Sequence, residues 1–409
     1  MSNSQPDERV DASPESTGRA RGGRDHVEKG SMTTLRSLRP HLSENGLRAD
    51  TEGTDVADNM RLIGEAGLNR LNVPVEFGGL WDGGPWGGLR EVIDTIVALS
   101  AADGSTGQCW SANALVSRQL FLSGLPQATK KQLADELIHD SRRLVSSASE
   151  AGGRGPVTAR RVPGGIVVNG TKAFNSNSGG GGRDLLHVRL LLDGAPYQAL
   201  VRLDDPGLTL AHDWDNMGQR GTDSQTITYT DVFVPDGWHL PPLAIDPYLM
   251  SAVLLTHGAL LQGLGEGAHE AAIGYLRTVT RSSMPKFASV LEDPLIHRQL
   301  GEMSSDLAAA RALLTSVATE IETQSADPVE AGVRGFRSKV ASTTAGLRAT
   351  ARIHDLTGAR GTANRYRFDR FWRNARTFAS HDSLDAKMAF IGAYEVSGAL
   401  PNLAEYLPV

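Results

Sequence analysis

Between Leu300 and Ile321 the residues Leu300, Met303, Leu307, Ala310, Leu314, Val317 and Ile321 recur at alternating steps of three and four. That spacing draws one narrow apolar stripe along a helix roughly 30 Å long. Such a stripe must be covered by other helices, as in a bundle. Val333, Phe336, Val340, Leu347 and Ala351 offer a similar face, and Val253 to Val279 forms a third helix carrying Gly258, Gly263, Gly265 and Gly267. Each glycine costs about 1 kcal/mol relative to alanine inside a helix. Either a neighbouring backbone comes close there or the helix is locally weak. A C-terminal four-helix bundle over residues 241–409 is the expectation.

The pattern differs over residues 141–240. Short apolar runs at Leu144–Val145, Ile166–Val168, Leu185–Leu192, Ala199–Leu203 and Thr226–Tyr229 are separated by Gly164-Gly165, Asn169-Gly170, Asp193-Gly194 and Asp205-Pro206-Gly207. Short strands with turn dipeptides between them predict an antiparallel β domain. Residues 33–140 return to helical spacing, clearest at Val92, Ile93, Ile96, Val97 and Leu99, with a loop at Pro74 to Gly79. Residues 1–32 lack an apolar core and are expected to form a disordered tail. The fold class is α+β, mainly α, in the order helical domain, β domain, helical bundle.

Composition narrows function by exclusion. A net charge of −6 argues against a chain-wide nucleic-acid binder. The N-terminus has no apolar signal segment, and no run approaches the ~18 apolar residues of a membrane span. Neither a membrane nor a nucleic-acid partner is expected, and the cytoplasm is the expected location. Cys109 is the single cysteine, and the eleven histidines form no ligand pair in sequence, so no metal site is expected. Gly263-Leu-Gly265-Glu-Gly267 imitates a dinucleotide fingerprint, but it lies in helical spacing without the strand that motif requires. Five arginines between Arg365 and Arg376, interleaved with aromatics, fit a domain or subunit contact better than RNA.

Four segments carry more chemistry than a core needs. Gly170 to Gly179 ends a strand in Phe174, Asn175, Ser176 and glycines, suited to a flat heterocycle or to a polar turn. Asp213 to Thr222 sets Trp214 among donors and acceptors, suited to an aromatic ligand or to a satisfied core indole. Ala101 to Asn113 is rich in small residues, which also suits close helix packing. Ser380-His381-Asp382-Ser383 pairs an imidazole with a carboxylate, a structural pair or a proton-handling one.

In this order, the Pro74–Gly79 loop, Asn169-Gly170-Thr171-Lys172, Gly218-Gln219-Arg220-Gly221-Thr222 and Asp231-Val232-Phe233-Val234-Pro235 resemble the acyl-CoA dehydrogenase superfamily from about residue 35 onward. The stretch from Phe368 through Arg373-Asn374-Ala375-Arg376 to His381-Asp382, with Asp213-Trp214-Asp215, resembles the flavin-dependent monooxygenase branch, which includes dibenzothiophene monooxygenase and amino-sugar N-oxygenases. Dehydrogenases usually carry Tyr-Glu-Gly-Thr at the His381 region. Their middle-domain motif survives here only as Ser149-Glu150-Ala151-Gly152, and Glu292-Asp293-Pro294 replaces a glutamine-rich FAD stretch. Ser383 and Asn113 depart from the monooxygenases, which often carry proline and an aromatic or histidine there.

The resemblance implies a two-component monooxygenase that takes reduced FMN, or FAD, from a separate flavin reductase and oxygenates a small organic molecule. It also implies a homotetramer. By the same resemblance Phe174 and Trp214 cover the flavin ring, and Ser176 bonds near its central nitrogen. Arg281, with Arg360 from a neighbouring subunit, holds the phosphate. His381 handles the reacting proton, Asp382 orients the imidazole, and Asn113 lines the substrate side. The alternatives are an FAD-dependent acyl-CoA dehydrogenase with Asp382 as base, which would purify yellow, and a scaffold that has lost the flavin.

Overall fold

The computed structural model describes residues 18–401 apart from 181, 245, 280, 281 and 283, and gives residues 18–29 as helical backbone alone. Five helices come first: α1 (Gly18–Glu52), α2 (Ala57–Glu65), α3 (Leu89–Ala102), α4 (Gly104–Leu122) and α5 (Gln127–His139). The strands follow as β1 (Leu144–Ser147), β2 (Ser149–Glu150), β3 (Thr158–Val162), β4 (Gly165–Asn175), β5 (Leu185–Leu192), β6 (Ala195–Arg202), β7 (Leu208–Leu210), β8 (Gln225–Pro235) and β9 (His239–Leu240). The chain closes with α6 (Leu249–Leu276), α7 (Pro294–Thr323), α8 (Pro328–Gly361), α9 (Asp369–Ala379) and α10 (Leu384–Ser397). The α+β, mainly helical class read from the sequence is the one observed.

Several expectations need correction. Helix α1 begins at Gly18, inside the segment expected as tail, and residues 1–17 lie outside the described part. Among the residues whose side chains are described, Ser31 and Leu35 are the first buried ones, and a packed helix extends cheaply beyond its anchors. The sheet is mixed, because β1 and β3 both pair with β5 in parallel. Turn dipeptides report hairpins, whereas parallel pairs are joined by longer crossovers that leave no such mark. Asp193-Gly194, at φ 53° and 81°, is a tight hairpin turn as expected. Asn169-Gly170 is not a turn but a bulge inside β4, with Gly170 at φ 135° and no room for a Cβ, which would meet Val157 Cα at 2.8 Å. The C-terminal region is helical as expected, and five described helices follow the sheet.

Helices from both ends of the chain share one core. Ile93 and Ile96 of α3 pack in the same cluster as Leu260 and Leu264 of α6, Leu314 of α7 and Ile353 of α8. The glycines of α6 are the reason α3 fits. A Cβ on Gly263 would lie 2.4 Å from the Val97 carbonyl oxygen, and one on Gly267 equally close to that of Ala101. The fingerprint-like stretch is therefore mid-helix packing. A second core fills the sheet around Ile166, Val188 and Ile227, and a third joins α4 and α5 to it through Leu120, Leu133, Leu144 and Leu185.

The α7 stripe from Met303 to Ile321 is buried as its spacing predicts. The buried face of α8 keeps the expected Val333 and Phe336 but turns away from the rest of the apolar set. Ala351 is exposed and Val340 and Leu347 are half-buried, while Gly335, Ser338, Lys339, Ser342 and Gly346 are buried. Small residues let α6 come close here, since a Cβ on Gly346 would lie 2.4 Å from the Leu261 carbonyl oxygen. Hydropathy does not register that kind of contact. No described helix is long and apolar enough to cross a membrane.

Candidate functional site

Backbone strain marks the first part of the site. Among the described residues ten non-glycines have positive φ, and Phe174, Asn177, His212, Gln219 and Asp223 are five of them. Strain of this kind concentrates where function requires it. Asn and Asp tolerate the left-handed region, but for a bulky side chain such as Phe174, at φ 56°, it is costly. The conformation leaves Phe174 61% exposed at the end of β4, with its ring 6.3 Å from Trp214 and nearly perpendicular to it. The Trp214 indole N–H donates to the Gln219 carbonyl at 3.0 Å.

Beside these rings Ser176 Oγ accepts from Gln108 Nε2 at 2.9 Å and shares a hydrogen bond with Ser224 Oγ at 2.7 Å. Gln108 Oε1 and Gln219 Nε2 are buried without partners. A spare acceptor and a spare donor next to two aromatic rings fit a flat heterocycle whose edge carries N–H and C=O groups.

Helix α9 holds this loop. Asn374 Oδ1 accepts from the Gln219 backbone N–H at 2.7 Å, and Arg373 donates to the Met217 carbonyl at 2.6 Å. Arg373 also pairs with Asp50 at 2.6 Å and Asp369 at 2.7 Å, and Arg370 meets buried Asp103 at 3.4 Å. Two arginines of the basic stretch thus serve as domain contacts that meet carboxylates.

One turn beyond Asn374, α9 reaches Phe378, on which the His381 ring stacks at 5.7 Å. The His257 ring from α6 lies 4.8 Å from that of His381. Asp382 pairs with Lys387 at 2.8 Å, with Lys339 Nζ at 3.7 Å and with His257 Nδ1 at 3.9 Å. The imidazole facing the carboxylate is therefore that of His257 rather than His381. Ligand-type atoms of His257, His381 and Asp382 gather within 4.8 Å of one another, but two lysines already neutralise the carboxylate, which disfavours a cation. Burial pushes His257 down to about 3. Burial also lowers His381, with Lys339 and Lys387 adding to the effect and Asp382 opposing it. For Asp382 burial favours the neutral acid, yet His257, Lys339 and Lys387 together hold it well below the usual carboxylate range. Such a carboxylate is a weak base, which counts against proton abstraction of the dehydrogenase kind.

The remaining expected residues are dispersed. Asn113 is 4% exposed, and its Oδ1 accepts from the Leu144 N–H at 2.5 Å and from Asn177 Nδ2 at 3.3 Å, tying α4 to the sheet. Asn113→Leu should lower stability by about 1–3 kcal/mol by orphaning that N–H, read as a lower urea midpoint. Arg360 is exposed in the last turn of α8 and makes no ion pair with a described residue. Arg281 lies outside the described residues. Sequence reasoning gave no individual role to Gln108 or Asn374, which lie in segments it singled out, and passed over His257, Lys339 and Lys387. The usable signal was Lys339, a charge in phase with the small residues Gly335, Ser342 and Gly346 of α8.

Residues 255–386 match the family model of the acyl-CoA dehydrogenase C-terminal domain. Dibenzothiophene monooxygenase of Rhodococcus erythropolis is 30% identical over 92% of this chain and 96% of its own length. The enzyme of that name from Mycolicibacterium goodii is 32% identical over 86% and 90%. The solved structure of TdsC from Paenibacillus sp. A11-2 with FMN and indole superposes at TM-score 0.81, covering 90% of this chain and 98% of that one at 24% identity. With the fold, the motifs and these relatives in agreement, this chain belongs to the flavin-dependent monooxygenases of the acyl-CoA dehydrogenase superfamily.

Proposed function

We propose that the chain is the oxygenase of a two-component system, working in the cytoplasm on reduced FMN delivered by a separate reductase. Its substrate is a small aromatic heterocycle, a sulfur compound or an amine. The flat sulfur heterocycle in the name of the dibenzothiophene relatives makes that class the first to test. The observation that carries the reading is the strained, outward Phe174 beside Trp214, with unpartnered Gln108 Oε1 and Gln219 Nε2 adjacent. Phe174 and Trp214 would cover the ring, Ser176 and the two glutamines would bond its polar edge, and Arg281 with Arg360 of a neighbouring copy would hold the phosphate. The exposure of Phe174 and Arg360 supports a homotetramer in which a second copy closes the site.

Reduced flavin supplies the electrons that activate O2. The protein's part is to exclude water, hold the substrate and present His381 as a neutral imidazole able to donate or accept one proton. His257 and Phe378 pack against the imidazole and limit its rotation.

Anaerobic titration with reduced FMN and reduced FAD, followed by rapid mixing with O2 and dibenzothiophene or indole, tests this. Tight FMNH2 binding and product containing one atom of O2 are expected. Trp214→Ala should weaken that binding about tenfold, the scale of one lost aromatic contact. A yellow FAD enzyme reduced by acyl-CoA, or no flavin binding at all, would overturn the reading.

A further inference from the structure

Lys339 sits in the middle of α8 with 1% exposure, and its ammonium donates no hydrogen bond to a described residue. A buried charge without hydrogen bonds is among the most expensive groups a core can hold. Its surroundings show what it acts on. Nζ lies 3.7 Å from Asp382 Oδ1, too far for a direct hydrogen bond, and that oxygen is likewise unpartnered. Nζ also lies 5.2 Å from the centroid of the Phe378 ring, the ring on which His381 stacks.

Lys339 is the more distant of two counter-ions of Asp382. Lys387 already pairs with Asp382 at 2.8 Å and donates also to the Ser383 carbonyl at 3.3 Å. The groups facing one another here are His257 of α6, Lys339 of α8, His381 and Asp382 of the α9–α10 turn, and Lys387 of α10. One carboxylate against two ammonium groups leaves surplus positive charge beside two imidazoles.

We propose that Lys339 is a positioning residue of the monooxygenase reaction, which keeps Asp382 anionic and His381 uncharged so that the imidazole can exchange a proton during turnover. A second positive charge nearby disfavours the imidazolium, and Lys339 and Lys387 are themselves buried, so water screens their charge little. The direction in which His381 is shifted agrees, with burial first and Lys339 and Lys387 adding to it. The proposal rests on the oxygenase reading, and its main test needs no flavin.

In flavin-free, full-length Lys339→Met, the pH midpoint for diethyl pyrocarbonate modification of His381, followed by peptide mass spectrometry, should move up from wild type. Lys339→Arg, which keeps the charge, should return it toward wild type. The melting temperature of Lys339→Met should change little, because Lys387 stays on Asp382 as its counter-ion while a loosely paired buried ammonium gives way to an apolar chain of similar length. Loaded with reduced FMN, the variant should form about tenfold less product per O2 consumed. If Lys339→Met does not fold, Asp382→Asn probes the same field from the opposite sign and should move the His381 midpoint down. An unmoved midpoint in either folded variant, or a lower melting temperature with the midpoint unchanged, assigns Lys339 to packing and overturns the proposal. Failure of flavin binding with the midpoint shifted would overturn the oxygenase reading instead.

Discussion

His381→Ala should lower product formed per O2 consumed by about a hundredfold, with the missing oxygen recovered as hydrogen peroxide. The magnitude is the lower end of what a positioned acid–base group contributes. The surroundings of His381 suit the proposed role. Its ring stacks on Phe378 and meets His257 edge-on, so its orientation is held while the residue stays open to solvent. Burial of the surrounding cluster lowers its proton affinity from the ordinary 6.5, so it is neutral at pH 7. Coupling in the wild type should then hold through neutrality and fall on acidification below that ordinary value, as the imidazolium forms. An oxygen electrode with and without catalase, combined with product chromatography across pH, reads both effects. The reduced-flavin dissociation constant should stay within about twofold of wild type, because Phe174, Ser176 and Trp214 come from other elements. Tight coupling in the alanine variant would remove His381 from the chemistry.

Gly218→Ala carries the second large effect. A Cβ there would lie 2.1 Å from the Arg373 carbonyl oxygen and 2.6 Å from the Asn374 nitrogen, both backbone atoms of α9. Neither can yield without moving the helix, which is held through Arg373 to Asp50 and through Arg370 to Asp103. The loop must lift instead. It then loses the Gln219–Asn374 and Arg373–Met217 hydrogen bonds and releases the Gln219 carbonyl that fixes Trp214. Overpacking of this kind costs about 1–3 kcal/mol. The melting temperature should fall, and reduced-FMN affinity should weaken about tenfold or more, since a tenfold change needs only about 1.4 kcal/mol. Wild-type values for both would show that α9 does not grip the loop.

Periodicity and turn chemistry determined the class and order of the elements, since helical stripes and hairpin dipeptides are local signals. Resemblance in Asn169–Lys172, Gly218–Thr222 and Arg373–Asp382 determined the chemistry. The parallel strand pairs, the shared helical core and the rotated face of α8 were hidden, because each depends on a partner distant in sequence. The same holds within the site. Asp382 reads as the partner of its neighbour His381, yet its side chain turns to Lys387, Lys339 and His257. Asn113 reads as a substrate contact, yet it joins a helix to the sheet. Sequence alone determined which residue types are available and on which kinds of element they sit. Only the tertiary structure decided which of them meet, because hydrogen bonds and charge interactions act over a few ångströms of space, whatever the separation along the chain.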